Sequence, residues 1–166
     1  MATSPSIIVA CSENRVIGRA GKLPWRIAED WEYFKAKTAH STVIVGRIGF
    51  ESWKSILDDG RQAIVITHDQ SLARTGVRVA TSLRSALDLA KAEARATFIC
   101  GGQRIFEEAI NLPEVQHLFL THVHATVEGD RYFPEWRQAF PRVIQKRDSA
   151  DENFRYTFYE CGRAGC

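Results

Sequence analysis

Hydrophobic and polar positions along the chain follow two patterns that alternate. Short runs that are almost entirely apolar and β-branched are separated by stretches in which apolar residues recur every three or four positions. The first pattern is typical of strands buried on both faces of a parallel sheet, and the second predicts amphipathic helices. The predicted strands are 6–11, 42–46, 63–67, 77–80 and 97–100. The predicted helices are 27–38, 50–57, 83–93 and 103–110, the third with Ser82 as its N-cap.

The pattern changes after Pro113. Three strand-like segments follow, 117–127, 141–150 and 154–161, with no helical pattern between them. Residues 129–140 are predicted to form a long loop, because Gly129 and Pro134 interrupt any regular pattern. Alternating strands and helices followed by strands alone predict an α/β fold whose parallel sheet ends in antiparallel strands.

The composition is that of an ordinary globular chain and argues against nucleic acid or a membrane as a partner. The 166 residues predict a single domain over 1–166, with a core of about 6–161 and a loose C-terminal tail. A formal net charge of +2 is too small to indicate a nucleic-acid or membrane surface. No apolar run approaches the roughly 20 residues that cross a bilayer, and the opening residues lack a secretory signal pattern.

Potential metal ligands and disulfide partners are sparse. The four cysteines are Cys11, Cys100, Cys161 and Cys166. Because no two of them form a C-x-x-C pair, we expect reduced thiols and a cytoplasmic location. His122 and His124 lie two positions apart on a predicted strand, but the sequence offers no third ligand beside them, so no metal site is predicted.

One acidic residue occupies an unusual place in the first predicted helix. Trp31 and Phe34 belong to one apolar stripe of that helix, and Asp30 lies at the edge of the stripe. One interpretation is a surface acid that pairs with Arg26 or Lys37. The other is a carboxylate in a hydrophobic cleft, which accepts two hydrogen bonds from a ligand with an amidine-like pair of N–H groups. Burial there would raise its pKa toward the range useful for proton transfer.

Two predicted junctions between a strand and a helix carry glycine. Gly46 precedes Arg47 at one junction, and Gly101 precedes Gly102 at the other. Glycine lets backbone N–H groups approach a ligand closely, and the start of the following helix favours an anion. Two such junctions at one edge of a sheet could hold the pyrophosphate of a dinucleotide. Plain turn chemistry is the alternative, because neither junction has G-x-G-x-x-G spacing.

Several short motifs occur in a fixed order around these residues. They are RVIG (15–18), KLPW (22–25), Asp30 five residues after that Trp, FKxxT (34–38), VIVGR (43–47), FES (50–52), GR (60–61), CGGQRIF (100–106), LTHV (120–123) and VEGDRYFP (127–134). In this order and spacing the set resembles dihydrofolate reductase over about residues 6–160. The resemblance implies a three-layer fold with a central, mostly parallel eight-stranded sheet, antiparallel C-terminal strands and about four flanking helices. It also implies an NADPH-dependent reduction of 7,8-dihydrofolate to 5,6,7,8-tetrahydrofolate, inhibition by antifolates, and a monomer.

The resemblance further implies roles for residues around the substrate. Asp30 matches the acid that holds the pteridine 2-amino group and ring N3 and assists protonation at N5 through ordered water, and Thr121 matches the Thr that supports this acid. Trp25 matches the Trp that holds the water, and Leu23 lies in the mobile loop that closes over the nicotinamide. Arg61 matches the Arg that takes the α-carboxylate of the folate glutamate. The positions that match the pocket wall are Ile8, Ala10, Trp31, Phe34, Leu57, Cys100 and Phe106.

A second group of positions matches the family's cofactor site. Those that match contacts to the nicotinamide and pyrophosphate are Ala10, Ile17, Gly18, Gly101, Gly102, Gln103, Arg104 and Ile105. The family's Gly-Gly peptide is cis, which implies a cis bond between Gly101 and Gly102. Arg47, Thr67 and His68 match the region of the adenosine 2′-phosphate, so the resemblance implies NADPH rather than NADH.

The sequence departs from the family pattern at three places. Ile48 and Gly49 fall in the cofactor phosphate site, where the family usually has a basic or polar residue and then Thr; we expect weaker NADPH binding, by about 1 kcal/mol for each lost hydrogen bond. Phe106 stands where Tyr is frequent. The segment WKSILDD is one residue longer than the common form, which affects the assignment of Leu57 to the benzoyl contact.

Three functions therefore stay open from the sequence. The first is an active dihydrofolate reductase. The second is a reductase of the same fold for another pteridine or for a pyrimidine-ribose phosphate of riboflavin synthesis, and the third is a non-catalytic folate- or nucleotide-binding module. Asp30, Phe34 and Arg61 favour folate, because a phosphate-bearing substrate would need more cations in the cleft.

Overall fold

Residues 4–164 are described by a computed structural model. The strands are β1 (Ser6–Ser12), β2 (Val16–Gly18), β3 (Thr42–Gly46), β4 (Gln62–Ile66), β5 (Val77–Ala80), β6 (Thr97–Ile99), β7 (His117–Val123), β8 (Arg131–Tyr132), β9 (Arg142–Ala150) and β10 (Arg155–Gly162). The α-helices are α1 (Ala28–Thr38), α2 (Arg47–Ser52), α3 (Leu83–Lys91) and α4 (Gln103–Ala109). Two short 3-10 helices span Asp58–Gly60 and Gln70–Leu72. Cys166, for which a reduced thiol is expected, lies outside the described residues.

Eight of these strands form one sheet in the order β5-β4-β3-β6-β1-β7-β10-β9. The six strands from β5 to β7 pair in parallel, whereas β10 is antiparallel both to β7 and to β9. The expected eight-stranded, mostly parallel sheet with antiparallel C-terminal strands and four helices is confirmed. No helix within residues 4–164 has the length and apolar character that crossing a membrane requires.

Two core layers cover the two faces of the sheet. Alternate side chains of β1 point to opposite faces, so Ile7 packs with α3 and α4, whereas Ile8 packs with aromatic residues of α1 and α2. Full burial of an aliphatic side chain of this size contributes about 1.5–3 kcal/mol. Helix α3 begins as predicted, because the Ser82 hydroxyl accepts a hydrogen bond from the Ser85 amide at 3.0 Å.

Two predicted elements differ from the structure. The helix predicted at 50–57 begins earlier, at the end of β3, and ends at Ser52; the Trp53 amide then bonds to the Gly49 carbonyl at 3.1 Å and turns follow. The loop predicted at 129–140 contains β8, which pairs antiparallel with β2. Strands of two and three residues are too short to produce an alternating pattern, so this small sheet cannot be predicted from hydrophobic periodicity.

Candidate active site

The two glycine junctions meet at one end of the sheet. Strand β3 ends at Gly46 and β6 ends beside Gly101, and the Gly46 amide donates to the Gly101 carbonyl at 3.0 Å. The peptide bond between Gly101 and Gly102 is cis, as the resemblance implies. Gly101 has a φ of 116° and a Cβ there would lie 3.1 Å from Phe106, so only glycine suits this position. A Cβ on Gly102 would meet no atom within 4 Å, which leaves its backbone open.

Asp30 lies in the first turn of α1 and faces Thr121 of β7. Burial raises the pKa of Asp30, the hydrogen bond from Thr121 opposes this shift, and the charge of Glu29 adds to it. Within residues 4–164 Asp30 forms no ion pair with Arg26 or with Lys37, whose ammonium lies 4.4 Å from the centre of the Phe119 ring. The ion pair expected for a surface acid is therefore absent among the described residues, and burial makes this carboxyl easier to protonate than a solvated Asp.

A second polar group, in the segment that precedes α1, is also shielded from solvent. Trp25 is 6% exposed and packs against Ile27, Tyr156 and Phe158. Its indole Nε1 is buried and has no hydrogen-bond partner among residues 4–164. Because an indole N–H can only donate, this group is available to a polar ligand.

Aromatic side chains form a wall on α1. Trp31 and Phe34 are stacked, with ring centres 5.6 Å apart and an 18° angle between the planes. Trp53 packs against both, at 6.2 Å and 5.0 Å. The sequence predicts a buried stripe here, which is wrong for Trp31: the ring is 41% exposed because it lies on the outer side of Phe34. Trp53 is the member of this wall that the sequence did not assign, because the longer segment after FES obscured its position.

Arg61 is almost fully buried, and its orientation is fixed by hydrogen bonds. Its Nε donates to the Thr38 hydroxyl at 2.9 Å, its Nη1 to the Asp58 carbonyl at 2.7 Å and its Nη2 to the Lys35 carbonyl at 2.6 Å. Asp59 also approaches Nη1, at 3.4 Å. A carboxylate ligand would therefore use the remaining N–H groups of the two terminal nitrogens, in competition with Asp59 at one of them.

The other predicted wall residues divide between the two faces of the sheet. Ile8 is buried with Leu57 and Cys100 packed on the same cluster as Phe34, and Ala10 packs on the cluster that contains Trp25. Phe106 differs from this prediction. It is 2% exposed and belongs to the core on the opposite face, where its ring meets Phe133 edge-on at 5.2 Å, because α4 packs its apolar side onto that face.

Residues predicted to contact the nicotinamide and pyrophosphate surround the Gly101–Gly102 junction. Ile17 and Ile105 pack on the edge of the first core, and a Cβ on Gly46 would lie 3.5 Å from Ile105. The Gln103 amide oxygen accepts a hydrogen bond from the Tyr132 backbone at 2.8 Å, which links α4 to β8. Arg104 is exposed.

The region predicted to meet the cofactor phosphate is open to solvent. Ile48 is 64% exposed and Gly49 is also exposed. Arg47 is engaged in an ion pair with Glu51, with Nε 3.2 Å from the carboxylate. After β4, the Thr67 hydroxyl accepts a hydrogen bond from the Asp69 amide at 3.2 Å, and His68 is exposed.

The segment predicted to be a mobile loop is linked to a neighbouring loop. The Ala20 amide donates to the Asp130 carboxylate at 3.2 Å, and the Asp130 amide donates to the Gly18 carbonyl at 2.9 Å. Leu23, further along the segment, is 55% exposed. Among residues 4–164 no group of three or more His, Cys, Asp and Glu side chains is arranged to hold a metal ion.

Comparison with known proteins gives one consistent result. The family model described as dihydrofolate reductase matches residues 5–163. The dihydrofolate reductase of Neisseria gonorrhoeae is 39% identical over 158 residues, covering 92% of this chain and 94% of that protein. The dihydrofolate reductase of Staphylococcus haemolyticus is 34% identical over 159 residues, covering 93% of this chain and 91% of that protein. Among solved structures, dihydrofolate reductase from Enterococcus faecalis complexed with NADP(H) and RAB-propyl has a TM-score of 0.86 and 31% identity over 99% of each chain.

Proposed function

The chain belongs to the dihydrofolate reductase family, and on that basis we propose that Asp30 is the acid of its reaction. As a member of this family it reduces 7,8-dihydrofolate to 5,6,7,8-tetrahydrofolate with NADPH as cofactor. The observation that carries the proposal is a single shielded carboxyl on α1, with a raised pKa, beside an aromatic wall and an unpartnered indole N–H. No other described acid combines these features with a position between the wall and β7.

Asp30 has two tasks in this proposal. Its carboxylate accepts hydrogen bonds from the 2-amino group and N3 of the pteridine, a planar pair of donors that suits two carboxylate oxygens. Its raised pKa keeps a larger fraction of the carboxyl protonated near neutral pH than a solvated Asp would have, so it can supply a proton toward N5. Trp25 donates its buried indole N–H to the water that carries this proton, and Thr121 orients the carboxyl.

The residues around the glycine junction fit NADPH. The backbone of Gly102 is open, and the Gly46 amide to Gly101 carbonyl bond brings both strand ends together. NADPH supplies the hydride when it is bound. The residues that we propose hold it are Ala10, Ile17, Gly18, Arg47, Ile48, Gly49, Thr67, His68, Gly101, Gly102, Gln103, Arg104 and Ile105. Leu23 covers the site when its loop closes, which excludes water from the reacting atoms.

The remaining substrate contacts follow from the wall and the buried arginine. Phe34, Leu57 and Ile8 lie in one apolar cluster and would contact the benzoyl ring, with Trp31 covering its outer side. Arg61, which three protein oxygens already orient, takes the α-carboxylate of the glutamate tail. Ala10 and Cys100 complete the wall at the pteridine end.

Three broader properties complete the proposal. One domain over 1–166 carries the whole activity, since a single eight-stranded sheet and the helices and loops attached to it provide every proposed contact. The protein is proposed to act as a monomer, as the resemblance to the family implies. Its location is cytoplasmic, which the free cysteines among the described residues support. Antifolates that carry an amidine-like pair of N–H groups would compete for Asp30.

A turnover assay tests the proposal. NADPH absorbance is followed at pH 7 with dihydrofolate, for the native protein and for Asp30→Asn. We expect turnover that methotrexate abolishes, and a loss of at least about 100-fold in kcat for the variant, which is the scale of a lost general acid. Binding of both ligands, measured separately, should persist in Asp30→Asn. Undiminished turnover of the variant would refute the role of Asp30, and turnover only with another pteridine would refute the substrate.

A further inference from the structure

The residue next to Asp30 is held by three hydrogen bonds that the reaction does not explain. The Ser149 hydroxyl donates to Oε1 of Glu29 at 2.5 Å, and the Tyr156 hydroxyl donates to the same oxygen at 2.7 Å. The Arg147 guanidinium donates to Oε2 at 2.9 Å. Ser149 and Arg147 belong to β9, and Tyr156 to β10, so one carboxylate ties the start of α1 to the antiparallel edge of the sheet.

Apart from these hydrogen bonds, the start of α1 is held by the burial of Ile27 and by the contact of Asp30 with Thr121. Its N-cap residue is Ile27, and no side chain caps the first turn. The Ile27 carbonyl accepts the first intrahelical bond, from the Trp31 amide at 3.2 Å. An end of a helix without a cap is prone to fraying, and Asp30 lies within this first turn. The Glu29 hydrogen bonds are therefore the attachment closest to the proposed catalytic carboxyl.

The partners of the two neighbouring acids lie on adjoining strands. Thr121 of β7, which supports Asp30, is paired with Phe158 of β10. Tyr156, which supports Glu29, lies two residues before Phe158 on the same strand and therefore on the same face of the sheet. Glu29 and Asp30 thus attach one turn of helix to one rigid face at two neighbouring points.

We propose that Glu29 is a positioning residue for the reduction, whose carboxylate fastens the first turn of α1 to β9 and β10 and thereby fixes the place of Asp30 against Thr121. The proposal rests on the proposed function of Asp30 as the acid. Catalytic groups act efficiently only when surrounding contacts hold them within a few tenths of an ångström of the productive geometry. Glu29 provides such a contact without touching the substrate.

The charge of Glu29 gives the same residue a second effect on Asp30. The hydrogen bonds from Ser149, Tyr156 and Arg147 hold the pKa of Glu29 below its usual range, so it is ionised at neutral pH. This charge raises the pKa of Asp30, in addition to the larger effect of burial. The other charged and titratable groups near the pair are Tyr33 on α1, Arg147 on β9, Tyr156 and Glu160 on β10, and Asp151 in the turn between β9 and β10.

Two variants of Glu29 separate the charge from the attachment. Glu29→Gln removes the charge but keeps a carbonyl oxygen that can accept from Ser149 and Tyr156, whereas Glu29→Ala removes both. Glu32→Gln is the matched control, since Glu32 lies on the same helix, is exposed and pairs only with Lys35. Asp30→Asn serves as the reference for loss of the acid. Single-turnover rates of NADPH oxidation with dihydrofolate are measured for each protein from pH 5 to pH 9.

The expected profiles differ in shape. For Glu29→Gln we expect the apparent pKa to fall by about half a pH unit, which gives roughly threefold slower turnover at high pH and a low-pH plateau within twofold of the native rate. For Glu29→Ala we expect the plateau itself to fall by at least about fivefold, because Asp30 is no longer held in place. Glu32→Gln should reproduce the native profile.

The outcomes distinguish this proposal from the proposed function. If Asp30→Asn is slow while both Glu29 variants overlay the native profile, the role of Glu29 is refuted and that of Asp30 stands. A Glu29→Ala protein that melts at a lower temperature but keeps the native plateau and pH profile also refutes it, since Glu29 would then be only structural. If Asp30→Asn retains the native rate, the role of Asp30 as the acid is refuted, and with it the role of Glu29. Should Glu29→Ala not fold, the Glu29→Gln profile alone decides.

Discussion

Asp30 meets two opposing physical demands at the scale of a single residue. Burial penalises its ionised form and raises its pKa, while the hydrogen bond from Thr121 favours that form. A carboxyl that is easily protonated suits proton donation, and an ionised one suits binding of the pteridine donors. The balance between Thr121 and burial therefore decides how much of each form is present at neutral pH.

The raised pKa of Asp30 predicts a cost to stability. An unfolded Asp titrates near 3.9, and each unit by which the folded pKa exceeds this value costs the ionised protein about 1.4 kcal/mol. Asp30→Asn should therefore increase the free energy of unfolding at pH 7, and the gain should vanish as the pH falls through the raised pKa to below about 4, where both side chains are neutral. Urea unfolding at pH 7 and near pH 4 measures the difference. Glu32→Gln should show no such gain, and an Asp30→Asn protein that is less stable at pH 7 would contradict the prediction.

Asp59 predicts a second effect at this scale. Its carboxylate lies 3.4 Å from Nη1 of Arg61 and is about half exposed, so it competes weakly for the N–H groups proposed to bind the folate tail. Asp59→Asn removes the charge, and Asn tolerates the left-handed backbone found there, with φ at 57°. We expect the Kd for dihydrofolate to fall about two- to threefold, the scale of an exposed ion pair.

The neighbouring acid provides the control for Asp59. Asp58 contacts Arg61 through its backbone carbonyl, so Asp58→Asn should leave the Kd for dihydrofolate unchanged. Equal affinities of the native and Asp59→Asn proteins in a fluorescence titration would mean that Asp59 does not compete with the substrate.

At the scale of secondary-structure elements, we expect α2 to determine how firmly the cofactor phosphate is bound. Ile48 is exposed, and Arg47 is paired with Glu51, so this turn presents little uncommitted positive charge. Ile48→Arg should strengthen NADPH binding about fivefold, which corresponds to about 1 kcal/mol for a new charge-assisted hydrogen bond. NADH binding should not change, because NADH lacks the 2′-phosphate.

A matched substitution elsewhere tests whether the gain is local. Val143 on β9 is 52% exposed, and Val143→Arg adds the same charge at the far edge of the sheet. That variant should bind NADPH with native affinity in an equilibrium titration. If Ile48→Arg also leaves the affinity unchanged, the assignment of this turn to the phosphate is wrong.

The elements differ in how far the sequence could predict them. Strands β1, β3 and β4 contain continuous apolar runs, because both of their faces are covered, and such runs can be recognised without knowing the fold. Strand β8 could not be recognised, since two residues carry no period and its pairing with β2 depends on the tertiary structure. The start of α2 was misplaced because the helix begins directly at the strand end, with no side-chain cap to mark it.

The candidate site was predictable where a motif fixed the spacing. Asp30, Trp25 and Thr121 lie in motifs of specific order, and the structure brings the first and last into contact. The opposite-face burial of Phe106 could not be deduced, because helical periodicity does not tell which face of a sheet a helix covers. The contacts of Glu29 join positions about 120 residues apart, and no local sequence pattern predicts them.

At the scale of the whole molecule, the sheet connects substrate, cofactor and acid. The carboxyl ends of its parallel strands β3 and β6 bring the Gly46 and Gly101 turns together. Its antiparallel strands β9 and β10 hold the start of α1. Helix α1 is thus attached to β9 and β10 through Glu29 and to β7 through Asp30. We propose that this arrangement presents one shielded carboxyl, at position 30, as the source of the proton.

The pH dependence of single-turnover NADPH oxidation tests that claim most directly. For the native protein the logarithm of the rate should be level at low pH and fall with unit slope above the raised pKa of Asp30. For Asp30→Asn it should fall with unit slope from pH 5 through pH 8, so the deficit narrows toward acid, where solvent protonates the substrate instead. A variant that keeps the level region, or that matches the native rate at pH 7, would contradict the account.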